Sequence, residues 1–251
     1  MNRLQGKVCV VTGASRGIGK AIALGYAGEG ARVIVAARTE LENGRFPGTI
    51  HETVKEIEAA GGEAVAVRCD VTDDEQVQAL VRAAMDAYGR IDVLMKNAGI
   101  AFNPYIKDTE ARHLALILQV NLLGPMLLCK YVAPVMEKQR SGAIINMTSG
   151  AGGSHNPGRS AYAVTKAGLN QLTYSLAAEE APFNIAVNAL DPGGLITAGS
   201  RSTHPVDYEK WAAGRDPVDA IVPPAVSLAL KTPDIMTGQI VKRVEHLKSW
   251  Q

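Results

Sequence analysis

The hydrophobic positions of this sequence alternate between short apolar runs and longer segments with helical periodicity. The short runs are rich in β-branched residues, and their continuous apolar character is typical of strands covered on both faces. We predict strands at residues 8–12, 33–37, 64–69, 91–95, 143–147, 185–190 and 239–244. Strands separated by helical crossovers predict a parallel sheet.

Helical periodicity covers most of the remaining segments. We predict helices at residues 17–28, 50–60, 74–88, 109–137, 161–181 and 218–230. Within residues 109–137, Gly124-Pro125 predicts a break between two helices. No repeat, low-complexity tract or linker interrupts the pattern, so we expect one α/β domain over residues 1–251, a doubly wound parallel sheet with helices on both faces.

Two loop segments follow predicted strands, at the sheet edge where open α/β folds bind ligands. Residues 39–48 form the first, and residues 194–217, rich in Gly, Ser, His and Pro, form the second. We expect the second to be a lid that lines a substrate pocket together with residues 100–106 and 150–159. Tyr208 and Trp211 within this lid favour an apolar substrate, and packing of the lid itself is an equal alternative.

Composition excludes several classes of partner. Lysine plus arginine number 26 against 25 aspartate plus glutamate, so neither nucleic acid nor a membrane is expected as a partner. The three cysteines are far apart, without Cys-x-x-Cys or a histidine cluster, so we expect no metal and a reducing compartment. We find no apolar signal core and no apolar run of about 18 residues, which predicts a cytoplasmic protein.

Two motifs carry candidate chemistry. Gly13-x-x-x-Gly17-x-Gly19 links the first strand to the first helix, where backbone N–H groups can face a pyrophosphate. Its spacing differs from Gly-x-Gly-x-x-Gly, so a plain turn is an equal alternative. Tyr162 and Lys166 lie four residues apart on a predicted helix, so they share a face where the ammonium would favour the phenolate.

Together the motifs resemble the short-chain dehydrogenase/reductase superfamily over residues 6–200. The resemblance rests on Thr12-Gly13-x-x-x-Gly17-x-Gly19, Asp70-Val71, Asn97-Ala98-Gly99, Asn121, Ser149, Tyr162-x-x-x-Lys166 and Pro192-Gly193-x-x-x-Thr197, in that order. It implies a Rossmann-type fold and an oxidoreductase of the carbonyl reductase type, which transfers a hydride between a nicotinamide cofactor and a ketone or secondary alcohol. The length of segment 39–48 resembles the hydroxysteroid dehydrogenase-like branch.

The resemblance also implies the roles of single residues. Tyr162 would donate or accept the proton, and Ser149 would orient the carbonyl. Lys166 would lower the pKa of the phenol and hold the nicotinamide ribose, and Asn121 would position a water that links Lys166 to solvent. The expected cofactor-binding residues are Gly13, Ser15, Arg16, Gly17, Ile18, Gly19, Arg38, Asp70, Val71, Asn97, Ala98, Gly99, Tyr162, Lys166, Pro192, Gly193 and Thr197. Taken singly, Ser149 is also typical of a turn cap, Asn121 of a backbone contact and Asp70 of a helix N-cap.

Arg38 sets the expected cofactor. It follows the second strand, where the ribose 2′ position should lie, and a basic residue there favours NADP(H) over NAD(H). Arg16 in the glycine turn supplies a second guanidinium. Three alternatives stay open: the arginines as surface charges, an NAD-linked enzyme, and a non-catalytic dinucleotide-binding sensor.

The sequence departs from the family pattern at two places. Lys96 stands where a second asparagine often precedes Asn-Ala-Gly, and the chain after Gly238-Gln239 lacks the usual Asp-Gly-Gly ending. We interpret the basic stretch 242–248 as a solvated end. The predicted helices at 109–137 and 161–181 are apolar over more faces than one sheet covers, which predicts a homodimer; a homotetramer is the open alternative.

Overall fold

The computed structural model describes residues 2–41, 47–101, 104–155, 157–197, 200 and 208–246. The strands within these residues are β1 Val8–Thr12, β2 Arg32–Ala37, β3 Glu63–Arg68, β4 Val93–Lys96, β5 Gly142–Met147, β6 Ile185–Asp191, β7 Leu195–Ile196, β8 Asp216–Pro217 and β9 Ile240–Lys242. Seven of them form one parallel sheet in the order β3-β2-β1-β4-β5-β6-β9, and β7 pairs with β8 separately. The predicted doubly wound sheet and the single Rossmann-like domain are confirmed.

Helices connect the strands on both faces of the sheet. They are α1 Gly17–Gly28, α2 Ile50–Ala59, α3 Asp74–Tyr88, α4 Ala111–Leu118, α5 Gly124–Gln139, α6 Ser160–Glu180, α7 Tyr208–Ala212, α8 Val222–Ala229 and α9 Arg243–His246. Local signals account for several helix ends. Thr49 and Glu52 form a capping box at the start of α2, Asp73 caps α3, and the left-handed Gly89 ends α3.

The alternation of side chains along the strands divides the core into two apolar clusters. Val11 and Met95 face one cluster, which is covered by α1, α2 and α8. Val10 and Leu94 face the other cluster, which is covered by α3, α5 and α6 and is called the α5 cluster below. Because helices cover both faces, the central strands are apolar at nearly every position, and this made them recognisable in the sequence.

The predicted helix break at Gly124-Pro125 is wrong. The chain stays helical from Ala111 to Gln139, and the π-helical turn Gln119–Leu123 joins α4 to α5. A π turn is wider than an α turn, so it admits the proline at the start of α5 without ending the helix. This 29-residue helix is long and apolar enough to span a membrane by composition alone. It packs in the α5 cluster, as expected of a core helix.

The C-terminal region also differs from the prediction. Strand β9 ends at Lys242 instead of residue 244, and α9 begins at Arg243. Arg243 is 1% exposed, so it is not part of a solvated end. Its Nε donates to the Pro192 carbonyl at 2.7 Å and its Nη1 to Asp216 at 2.7 Å. The guanidinium therefore joins β9 to the loop after β6 and to β8.

Candidate active site

A cleft of about 640 Å³ opens at the carboxyl ends of the central strands. Its predicted members are Gly13, Ser15, Arg16, Gly17, Ile18, Arg38, Asp70, Val71, Asn97, Ala98, Gly99, Tyr162, Lys166, Pro192 and Thr197. Ile100 and Ala101, from the segment 100–106 predicted to line the substrate pocket, also lie here, and residues not predicted from the sequence are Ala37, Thr39, Cys69, Val120, Met147 and Thr148. Most of these are sequence neighbours of a motif residue at the end of a strand, and that position could have predicted them.

Backbone geometry explains the glycines between β1 and α1. Gly13 has φ +67°, and a side-chain carbon added there would lie 2.9 Å from the Ala98 Cα. A carbon added at Gly19 would lie 2.3 Å from the Gly13 carbonyl oxygen and 2.4 Å from the Asn97 Nδ2. Gly19 does not line the cleft, and its role is this close packing of α1 against the turn. Gly193 lies outside the cleft lining as well.

Asn97 holds the glycine turn from behind. Its Nδ2 donates to the Thr12 and Gly13 carbonyl oxygens at 3.0 and 3.2 Å, and its backbone N–H donates to the Thr12 hydroxyl at 3.2 Å. The same hydroxyl accepts a hydrogen bond from the backbone of Ala98 at 3.2 Å. This loop after β4 thus fixes the turn after β1.

The glycine turn has the properties of an anion-binding site. No side chain caps the N-terminus of α1, and its first turn contains no acidic residue. A carbon added at Gly17 would lie 3.8 Å from the Thr197 side chain and would fill the gap between them. Because Gly17 has no side chain, this gap between the glycine turn and Thr197 stays open. Free N–H groups, the helix dipole and this space fit a dinucleotide pyrophosphate.

Arg16 and Arg38 lie together at one end of the cleft. The Arg16 Nη2 donates to the Thr39 hydroxyl at 3.0 Å, and the Arg38 Nη1 lies 3.5 Å from Asp70. Asp70 also accepts from the backbone and hydroxyl of Thr72, and these hydrogen bonds and Arg38 hold its pKa below the usual range against the opposing effect of burial. Asp70 is not the N-cap of α3.

Glu40 follows Arg38 closely in the sequence, and a carboxylate near these arginines would oppose an anion. The Glu40 carboxylate instead lies 3.4 Å from Arg68 and 3.7 Å from His51. Residues 42–46, which include Glu42 and half of segment 39–48, lie outside the described residues.

Tyr162 and Lys166 line the other end of the cleft, and Ser149, which lies outside the lining, adjoins Tyr162. The Lys166 Nζ lies 5.5 Å from the centre of the Tyr162 ring and donates to the Met147 carbonyl at 2.8 Å. Ser149 accepts from the Ala151 backbone N–H at 3.2 Å, so it also caps the short 3-10 turn that follows it. A hydrogen bond between the Ser149 and Tyr162 side chains lowers the pKa of the phenol.

Electrostatics in this group differ from the expected activation of the phenol. Burial raises the pKa of Tyr162, and this effect exceeds the lowering by Ser149 and by the Arg159 charge. Burial also lowers the pKa of Lys166 to about 8, although the Asp191 carboxylate favours the ammonium. Burial therefore favours the neutral form of both Tyr162 and Lys166. The sequence analysis did not predict that Asp191 belongs to this group. The feature that could have indicated it is a charged residue at the end of an apolar strand.

Asn121 lies in the π turn, buried behind the cleft rather than in its lining. Its Oδ1 accepts from the Ile100 N–H at 2.8 Å, and its Nδ2 donates to the Ile100 carbonyl at 2.8 Å and to Thr165 at 3.2 Å. These contacts clamp the loop after β4 onto α6. The water relay that the resemblance implied for Asn121 stays a prediction.

The lid segment is described in part. Residues 198–199 and 201–207 lie outside the described residues. Within the described part, Tyr208 and Trp211 stack at 6.2 Å between ring centres, and Arg215 lies over the Trp211 ring at 4.4 Å. Among the described residues, no cluster of three or more histidine, cysteine or acidic side chains suits a metal ion.

Comparisons with known proteins agree with this geometry. Residues 7–206 match the short chain dehydrogenase family. The chain is 37% identical to the 3-oxoacyl-[acyl-carrier-protein] reductase FabG of Thermotoga maritima, over 95% of this chain and 96% of that protein. It is 35% identical to hydroxysteroid dehydrogenase-like protein 2 of Xenopus tropicalis, over 98% of this chain and 58% of that protein.

A solved structure with a cofactor extends the comparison. A 3-oxoacyl (acyl-carrier-protein) reductase from Agrobacterium tumefaciens C58 with NADP bound superposes with a TM-score of 0.84 at 29% identity, covering 95% of this chain and 93% of that one. The chain belongs to the short-chain dehydrogenase/reductase family, the NAD(P)-dependent oxidoreductases that act on CH–OH or keto groups.

Proposed function

We propose that this protein is an NADP(H)-dependent carbonyl reductase that interconverts a ketone and a secondary alcohol. The observation that carries the proposal is one continuous cleft, with the glycine turn and two arginines at one end and Tyr162 and Lys166 at the other, where Ser149 adjoins Tyr162. A dinucleotide bound along such a cleft brings its nicotinamide to the tyrosine end, where it supplies the hydride.

The protein residues orient the substrate and move the proton. We assign Ser149 to the substrate carbonyl, because its hydroxyl lies beside the Tyr162 hydroxyl and both can donate to one oxygen. Tyr162 is the proton donor in reduction, since its raised pKa keeps the phenol protonated at neutral pH. Lys166 supplies a positive charge near the phenol and a donor for the ribose hydroxyls, while the Met147 carbonyl fixes its position.

We assign the cofactor preference to Arg16 and Arg38. Both guanidinium groups line the cleft at the end of β2, where a 2′-phosphate would lie. Among the described residues, Arg38 is held by a long contact to Asp70, and 59% of its side chain is exposed, so it can turn toward a phosphate at low cost. The Glu40 carboxylate, which would repel a phosphate, is paired with Arg68 and His51 instead.

The substrate class is a carbonyl compound, and the names of the relatives suggest two versions. One relative is named for 3-oxoacyl groups on a carrier protein and another for hydroxysteroids; the first compound carries a ketone and the second a hydroxyl group, each beside an apolar body. We propose that residues 194–217 close over such a body as a lid, with the stacked Tyr208 and Trp211 as its apolar part. The three free, buried cysteines suit a cytoplasmic location.

We also propose a homodimer. Large apolar side chains are exposed along the helices at one side of the molecule: Leu118 is 43% exposed, Leu123 45% and Met126 41%. On α6, Val164 is 61% and Tyr174 48% exposed. A second copy of the chain packed on these helices would bury them.

Turnover of NADPH with a panel of ketones tests the proposed function. The wild type should oxidise NADPH only when a ketone is present. Tyr162→Phe should lower turnover by at least ~100-fold, the usual scale for a general acid, and should leave the NADPH dissociation constant within about twofold. A sensor without catalytic activity would bind NADPH but show no ketone-dependent oxidation, and near-normal turnover of Tyr162→Phe would contradict the assignment of the proton donor.

A further inference from the structure

A lysine is buried beneath the cofactor cleft, on the side of the sheet covered by α5. Lys96 is 2% exposed, and the alternation along β4 places it on the same face as Leu94, toward the α5 cluster. Its Nζ contacts the Cys129 sulfur at 2.7 Å and the Pro125 carbonyl oxygen at 3.4 Å. Among the described residues, no carboxylate forms an ion pair with Lys96.

The contact between Lys96 and Cys129 is close for a nitrogen and a sulfur. Hydrogen bonds from nitrogen to oxygen measure about 2.7 to 3.2 Å, and sulfur is the larger atom. The 2.7 Å separation is also shorter than the distance of about 3 to 3.5 Å at which bound groups are aligned for reaction. The nitrogen and the sulfur are therefore close enough to react without a change of fold.

The other two cysteines have different surroundings. Cys9 and Cys69 are buried like Cys129. Burial and the nearby carboxylates Asp70 and Asp73 raise the pKa of Cys69 to about 12. Burial and Asp92 raise the pKa of Cys9 as well. No amine donates a hydrogen bond to either sulfur among the described residues, whereas a lysine adjoins Cys129. Cys129 is therefore the cysteine with a nitrogen nucleophile beside it, and the thiolate is the form of a cysteine that peroxides oxidise.

We propose that Lys96 and Cys129 form an oxidative modification site, at which hydrogen peroxide joins the two side chains through a sulfur–nitrogen bond. The Cys129 thiolate attacks one peroxide oxygen, the O–O bond breaks, and the sulfur is oxidised to a sulfenic acid as the peroxide is reduced. The Lys96 ammonium supplies the proton for the hydroxide that leaves, which becomes water. The resulting amine attacks the sulfenyl sulfur, the S–O bond breaks, and a second water leaves with a proton from nitrogen.

The position of the site connects it to the cofactor cleft. Lys96 directly precedes Asn97, whose amide holds the glycine turn, and Cys129 lies on α5 just after the π turn. A covalent link would tie α5 to the end of β4, directly before the Asn97 side chain that holds the glycine turn.

Mass spectrometry of the purified full chain tests the proposal. The protein is treated with hydrogen peroxide, quenched, and analysed intact and after tryptic digestion. We expect the intact mass to fall by two hydrogens, a linked pair of peptides containing Lys96 and Cys129, no cleavage after Lys96, and full reversal by dithiothreitol. Cys129→Ser and Lys96→Met should abolish the linked pair, and Cys69→Ser, which removes another buried thiol, should retain it.

Several results would overturn the proposal. One is recovery of Cys129 as sulfinic or sulfonic acid with Lys96 unmodified, and another is oxidation of Cys69 at the same rate as Cys129. An unchanged mass at Lys96 and Cys129, under conditions that convert the exposed Met126 to its sulfoxide, would do the same. If Lys96→Met fails to fold by circular dichroism, the peptide map of the wild type and the Cys129→Ser variant decide the matter.

Discussion

The ionisation of Lys166 predicts how cofactor use depends on pH. Burial lowers its pKa to about 8, from an ordinary value of 10.5, so the ammonium is mostly present at pH 7 and mostly lost at pH 9. If the charged form holds the nicotinamide ribose, kcat/KM for NADPH should be level from pH 6 to about 7.5. Above pH 8 it should fall by about tenfold for each pH unit, the slope of a single ionisation.

Measurements of kcat/KM for NADPH at saturating ketone are suited to this test, because that parameter reports ionisations of the free enzyme. Two variants identify the titrating group. Lys166→Arg keeps its charge at all these pH values, so the fall near pH 8 should disappear even though activity is reduced. Asp191→Asn removes a negative charge that favours the Lys166 ammonium, so the fall should begin at lower pH.

A profile that stays level to pH 9.5 would refute the assignment of the ammonium as the required form. A fall near pH 8 that persists in Lys166→Arg would show that another group titrates. Tyr162 does not account for a fall near pH 8, because burial raises the pKa of its phenol above the ordinary value of 10. The direction of the shift in Asp191→Asn is an independent check, since a shift to higher pH contradicts the electrostatic reasoning.

Three further predictions concern the cofactor, the fold and the assembly. Arg38→Ala should weaken NADPH binding by about tenfold or more and leave NADH binding unchanged in fluorescence titrations; equal effects on both cofactors would contradict a phosphate contact. Gly19→Ala should lower the free energy of unfolding by about 1 to 3 kcal/mol in urea, because the added carbon meets a carbonyl of the glycine turn, whereas Gly28→Ala, which meets open space, should not. Val164→Asp should give a monomer in light scattering and Ile235→Asp, equally exposed, should not; a wild-type monomer at micromolar concentration would refute the dimer.

The sheet could be predicted because its strands are local apolar runs. Strand β1 and helices α1 and α3 begin and end where the sequence placed them, and the other sheet strands differ by a few residues. The break at Gly124-Pro125 was predicted from residue preferences alone, which do not show that a π turn admits the proline. Burial of Arg243 depends on Pro192 and Asp216, partners 51 and 27 residues away in sequence, so no local pattern indicates it.

The predicted active-site group could be placed from motif spacing, but its electrostatics could not. Four residues separate Tyr162 from Lys166, and helical geometry alone puts them on one face. The sign of each pKa shift depends instead on burial and on Asp191, which approaches from β6 and has no fixed spacing to either residue. Burial favours the neutral phenol and opposes the ammonium, so near neutral pH the pair consists of a protonated tyrosine and a lysine that still carries its charge. That combination is suited to donating a proton to a carbonyl oxygen, and it agrees with the proposed reduction of a ketone, whereas the oxidation of an alcohol needs the phenolate.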